Sequence, residues 1–65
     1  MDNYEIVYAA DNNFAPVLGT SLVSLFENNK DININITIFD SGISENNKNK
    51  IEEIFDKYHR NLPRW

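Results

Sequence analysis

The sequence predicts an α/β chain in the order β-α-β-α, with its two strands parallel. Three observations carry this. The apolar run Ile6-Val7-Tyr8 ends in the small pair Ala9-Ala10, as in a strand with helices on both faces of a parallel sheet. Ile32, Ile34, Ile36 and Ile38 alternate with Asn33, Asn35, Thr37 and Phe39, the period of a second strand. After each strand comes a segment whose apolar residues recur at helical spacing. A helix between two strands implies a right-handed parallel crossover.

At 65 residues the chain holds at most one small domain. A chain this short buries only about 60% of its unfolded surface, so its stability is marginal. It has no cysteine and one histidine, His59, so disulfides, thiolate metal sites and histidine-rich metal sites are ruled out. The net charge of −4 lacks the basic face of a nucleic-acid binder. No segment approaches the roughly 20 apolar residues of a membrane span. The start, Met1-Asp2-Asn3-Tyr4-Glu5, is acidic and without a long apolar run, and no signal peptide is expected there. The expectation is a soluble, cytoplasmic protein with no nucleic-acid partner and no membrane span of its own.

The first strand is expected over Tyr4 to Ala10. Asn13 then suits the N-cap of the first helix, and Pro16 falls in the first turn, where its missing N–H is harmless. Leu18, Leu22, Leu25 and Phe26 form one apolar stripe, with Val17 and Val23 beside it. Gly19 within that helix is expected to mark close packing on the sheet. Glu27-Asn28-Asn29-Lys30-Asp31 is a polar turn.

The second strand runs from Ile32 to Phe39. One of its faces is uniformly isoleucine; the other starts polar and ends aromatic, so it is expected to meet solvent first and core later. Asp40-Ser41-Gly42 turns the chain, and Ser44 suits the N-cap of a second helix, with Glu45 favourable at the positive end of its dipole. Ile51, Ile54, Phe55 and Tyr58 form its buried stripe. Glu53 and Lys57 are spaced as an i, i+4 pair on the outer side. Asn61-Leu62-Pro63-Arg64-Trp65 has no periodicity, and Pro63 ends any helix. Two strands make a poor sheet, and their exposed edge and uncovered apolar face favour self-association.

Asp11 and Asp40 both follow strands. In adjacent parallel strands their carboxylates reach the same end of the sheet, where α/β proteins bind ligands. The plainer alternative is that both are turn residues accepting from backbone N–H groups. Neither the dinucleotide fingerprint nor the P-loop occurs. There is no D-x-D pair, and no Ser-His-Asp set is assembled, since His59 falls at a helix end on the surface. Asn35-Ile36-Thr37 matches a glycosylation sequon but lies mid-strand, and is read as chance.

Ile6-Val7-Tyr8-Ala9-Ala10-Asp11-Asn12-Asn13-Phe14-Ala15-Pro16, the following Leu18-Gly19-Thr20-Ser21-Leu22 and Ser24-Leu25, and Phe39-Asp40-Ser41-Gly42-Ile43-Ser44 closely resemble the start of the family 8 glycosyltransferases. That group contains the bacterial lipopolysaccharide galactosyltransferases and, more distantly, glycogenin. The resemblance extends to about Tyr58. It implies the nucleotide-binding, Rossmann-like part of a GT-A fold. It also implies a retaining transfer of glucose or galactose from a UDP-sugar to a glycan or lipopolysaccharide acceptor, usually with manganese.

By the same resemblance, Ala9 and Ala10 let the uracil approach the backbone. Asp11 meets the uracil edge or ribose as a hydrogen-bond acceptor, and Asn13 does similar work. Phe14 stands where tyrosine is frequent, and keeps the ring while losing the hydroxyl. Asn12 stands where a second aspartate is common. The six residues from Ala9 to Phe14 are therefore the candidate nucleotide-sugar site.

The family's catalytic domain is several times longer, and its D-x-D motif, which holds metal and diphosphate, falls outside this sequence. Residues 1–65 are thus expected to be the N-terminal part of that domain, inactive alone. The departure after Tyr58 would fit a frameshift, an early stop or an incomplete gene. Two other readings remain. One is a small non-catalytic module that self-associates through its bare sheet. The other, half of a receiver-type signalling domain, is weak because the acidic pair, phosphoacceptor and lysine of that fold are missing.

Overall fold

The computed structural model describes residues 3–65; Met1 and Asp2, part of the acidic start, lie outside the described residues. The order is β1 (Asn3–Ala10), α1 (Ala15–Asn28), β2 (Asn33–Asp40) and α2 (Glu45–Lys57). The strands pair in parallel along their whole length, from Asn3 opposite Asn33 to Ala10 opposite Asp40. This is the Rossmann-like β-α-β-α order expected.

Both helices cover the same face of the sheet. Strand periodicity sends Ile6, Tyr8 and Ala10 of β1 and Ile34, Ile36 and Ile38 of β2 to that face. There they meet Leu18, Leu22 and Phe26 of α1 and Ile51 and Phe55 of α2 in one core. Phe26 and Phe55 meet edge to face, with centroids 5.2 Å apart, a favourable ring geometry. The opposite face carries Val7 and Phe39, which are 61% and 63% exposed. The expectation that helices cover both faces, and that Phe39 reaches core, is corrected here. Among the described residues, no element lies on that side to receive them.

Three other expectations change. Gly19 marks the contact between the helices, not with the sheet: a Cβ there would lie 3.4 Å from Ile54 Cδ1. The N-cap of α1 is Phe14, whose side chain makes no cap bond, and not Asn13. Asp11 supplies the missing acceptor, its Oδ1 taking the Phe14 N–H at 2.9 Å. The Glu53–Lys57 pair does not form, since Lys57 Nζ lies over the Tyr58 ring at 5.7 Å. Pro16 and Ser44 behave as expected: Pro16 occupies the first turn of α1, and Ser44 Oγ accepts from the Asn47 N–H at 3.2 Å.

The end of the chain is more ordered than its composition suggests. His59, at φ 55°, takes the left-handed position just past α2. The His59 and Arg60 amides then donate to Asp56 O at 3.1 Å and Phe55 O at 2.8 Å. This is a Schellman closure with histidine where glycine is usual. The Arg60 guanidinium donates to Ile32 O at 2.6 Å and to Asn29 O at 2.8 Å, over the Phe26 ring. It thereby ties the end of α2 to the turn before β2.

Beyond Pro63, the Arg64 N–H donates to Ile36 O at 2.9 Å, and Arg64 O accepts from the Ile38 N–H at 2.7 Å. Alternate residues of a strand bond to opposite sides, so this parallel bridge opposite Thr37 lies on the edge of β2 away from β1. Arg64 thus pairs with the far edge of β2 as an isolated bridge, in the place of a third strand. Trp65 folds onto α2, where its Nε1 donates to Glu52 Oε2 at 3.0 Å.

Candidate functional site

Two turns meet at the carboxyl end of the strands, residues 11–14 after β1 and residues 41–44 after β2. The backbone joins them first: the Ser41 N–H donates to Ala10 O at 2.9 Å. The second turn is built around Asp40. Its Oδ1 accepts from the Gly42 N–H at 2.9 Å and the Ile43 N–H at 2.6 Å. Gly42, at φ 110°, holds a conformation that L side chains rarely adopt. Asp40 Oδ2 pairs with Lys48 Nζ of α2 at 2.6 Å. The Lys48 bond, then the Ile43 and Gly42 amides, hold the Asp40 carboxyl at about 2, below its ordinary 3.8. The same bond raises the Lys48 ammonium pKa above its ordinary value. Asp40 is thus the turn residue of the plainer reading.

The first turn is more open. Ala9, Ala10, Asp11, Asn13 and Phe14 line a shallow depression of about 390 Å³. All the residues selected from sequence border it except Asn12. Phe14 is 45% exposed, so its ring is available beside the depression, and Asp11 is braced by the Phe14 amide. Asn12 turns towards α2 instead: its Oδ1 accepts from the Ser44 N–H at 2.9 Å and from Asn47 Nδ2 at 2.8 Å. Nothing in the local pattern around Asn12 pointed to partners 32 and 35 residues away.

A larger recess of about 870 Å³ lies at the opposite end of the strands, between Asn3, Ile32, Tyr58 and Arg60. In open α/β sheets ligands bind beyond the carboxyl ends of strands, where the strand order reverses. Arg64 extends the sheet beyond β2, and among the described residues no strand pairs with the outer edge of β1. The depression after β1 is therefore the one that suits a ligand by position, despite its smaller volume.

The residues here do not suit manganese. Among the described residues, no three His, Cys, Asp or Glu side chains gather where they could share an ion. Asp40 is already engaged by two amides and Lys48. No step of a reaction is assigned to a metal held by this chain. Among the described residues no helix is long and apolar enough to cross a membrane.

Strand order, parallel pairing and the polar turns at one end define a Rossmann-like α/β unit. Comparison with known proteins goes one step further. The family model described as glycosyl transferase family 8 matches residues 5–64, nearly the whole chain, and the chain belongs to that family. The match includes Asn61 to Arg64, so the family pattern does not end near Tyr58. No curated protein and no solved structure gives a significant match.

Proposed function

We propose that this chain is the N-terminal, nucleotide-side part of a retaining glycosyltransferase of GT-A fold. In this reading the complete domain transfers glucose or galactose from a UDP-sugar to a glycan or lipopolysaccharide acceptor in the cytoplasm, with manganese bound by residues outside this sequence. The depression bordered by Ala9, Ala10, Asp11, Asn13 and Phe14 carries the reading. The small side chains of Ala9 and Ala10 leave the backbone accessible to a flat base. The Phe14 ring offers it an apolar side. Asp11 Oδ1 is held by the Phe14 amide, leaving Oδ2 to accept from a base N–H or a ribose hydroxyl.

This edge binds and orients; it holds no group placed to move a proton or stabilise a leaving diphosphate. The chain alone is therefore assigned no transferase activity. Titrating the chain with UDP while following its backbone amides tests the reading. Weak, millimolar binding should shift the amides of Ala9 to Phe14, and Asp11→Ala should diminish the response. Unchanged amides at several millimolar UDP would remove the uridine assignment.

The bare face with Val7 and Phe39 favours a second reading, a non-catalytic module that self-associates. Sedimentation decides it: a folded monomer at high concentration counts against it, and a concentration-dependent dimer supports it.

A further inference from the structure

We propose that Asn12 is a positioning residue, which sets the nucleotide edge by clamping the turn after β1 onto the start of α2. The inference rests on the nucleotide reading of the neighbouring depression, but its geometry stands by itself. In a capping box, the side chain at the third helical position accepts from the N-cap N–H. Here Ser44 is the N-cap and Asn47 the third residue, and Ser44 Oγ already accepts from the Asn47 N–H. The reciprocal bond is made from elsewhere: Asn12 Oδ1 takes the Ser44 N–H at 2.9 Å, and Asn47 Nδ2 donates to the same oxygen at 2.8 Å. Asn12 thus completes the cap of a helix from 32 residues away.

The anchor is firm on the α2 side. Asp40 bonds two amides of its own turn and Lys48, and Ser44 caps the helix. The turn after β1 has less support. Its internal brace is Asp11 on the Phe14 amide, and its side-chain link to another element is Asn12, among the described residues. Asp11 and Asn13 flank Asn12 and border the depression, so the clamp sets where both are presented.

Both contacts use Asn12 as an acceptor, which fixes the chemistry of the test. Asn12→Ala removes the acceptor, while Asn12→Asp keeps it and places negative charge at a helix N-terminus, where charge of that sign is favourable. Amide hydrogen exchange and backbone relaxation of the whole chain are measured without ligand, then UDP is titrated. In Asn12→Ala the Ser44 amide should exchange about five- to tenfold faster, the effect of one lost hydrogen bond. The amides of Asp11 to Phe14 should become more mobile, and the UDP dissociation constant should rise about threefold or more. Asn12→Asp should restore Ser44 protection and the order of the turn. Should Asn12→Ala prove unfolded, Asn47→Ala, which removes one of the two bonds, should give the same changes at smaller size.

Unchanged Ser44 exchange and turn mobility in Asn12→Ala would overturn the positioning role. So would a mobile turn that binds UDP as tightly as the parent chain. If the parent chain gives no UDP response while the turn loosens in Asn12→Ala and tightens in Asn12→Asp, the clamp stands and the uridine reading falls.

Discussion

Arg60→Met offers the sharpest test of how this small fold is held together. The substitution keeps the apolar stem of the side chain and removes the guanidinium. That group donates at 2.6 Å and 2.8 Å to Ile32 O and Asn29 O, and its carbon lies 5.1 Å from the centre of the Phe26 ring. A hydrogen bond to a charged group contributes about 1.5–3 kcal/mol, and a cation over a ring about 0.5–1 kcal/mol at a partly exposed site. The site is half open to water, which can take over the abandoned carbonyls, so the lower ends apply. The lower ends for two such bonds and the ring contact come to about 3.5 kcal/mol, and water at the two carbonyls brings the net loss to about 2–3 kcal/mol, against a total of about 3–10 kcal/mol for a chain of this size.

Urea unfolding followed by circular dichroism reads this directly. With a slope near 1 kcal/mol per molar urea for a small domain, the midpoint should fall by about 2–3 M. Arg60→Lys should lie between the two, since a point-like ammonium cannot serve both carbonyls in the same fork. A midpoint for Arg60→Met within about 0.5 M of the parent would refute the argument. The guanidinium would then be a surface group whose bonds water replaces without loss.

Phe26→Ala empties the centre of the core beside Phe55 and should cost about 3–5 kcal/mol. That is enough to abolish a cooperative thermal transition. Gly19→Ala places its methyl in ordinary contact with Ile54 and should raise the urea midpoint by the equivalent of about 0.5–1 kcal/mol. His59→Gly relieves a left-handed residue and should stabilise by about 0.5–1 kcal/mol, once the greater freedom of glycine in the unfolded chain is subtracted. Asp40, held at about 2 against an ordinary 3.8, stabilises the fold above its unfolded value. That contribution should fade as pH drops from about 4 towards 2. Comparing urea midpoints at neutral pH and near pH 2.5 should show a smaller loss for Asp40→Asn than for the parent.

The elements were legible because period and capping agree at each of them. Alternating isoleucines gave β2, Pro16 marked the first turn of α1, and Ser44 with Glu45 marked the start of α2. The coverage of β1 was not legible. An apolar triplet such as Ile6-Val7-Tyr8 is what a strand shows when helices lie on both sides, and nothing local says that among the described residues both helices lie on one side. The cap of α1 was misplaced by the same locality, since Asp11 and Asn13 both carry a suitable oxygen and only the backbone path decides which reaches an amide. The candidate site was visible as a stretch, but the different roles of its residues were not. Asn12, Asn47, Arg60 and Arg64 find partners far along the chain, and neither helical nor strand periodicity encodes such pairings.

The bridge at Arg64 carries its own check against misalignment. The residue there must both donate to Ile36 O and accept from the Ile38 N–H. Pro63 has no N–H to give, so a slip that moves it into that place leaves Ile36 O without its donor. A shift of one residue in either direction also exchanges the two sides of the segment. Arg64 would then turn towards the isoleucines beneath the helices, while the buried Pro63 and the α2-bound Trp65 would turn outwards. A guanidinium against that apolar surface would have no carboxylate among the core residues to pair with. Three consecutive residues of different chemistry thus admit one alignment against β2, and they do so with a single pair of hydrogen bonds.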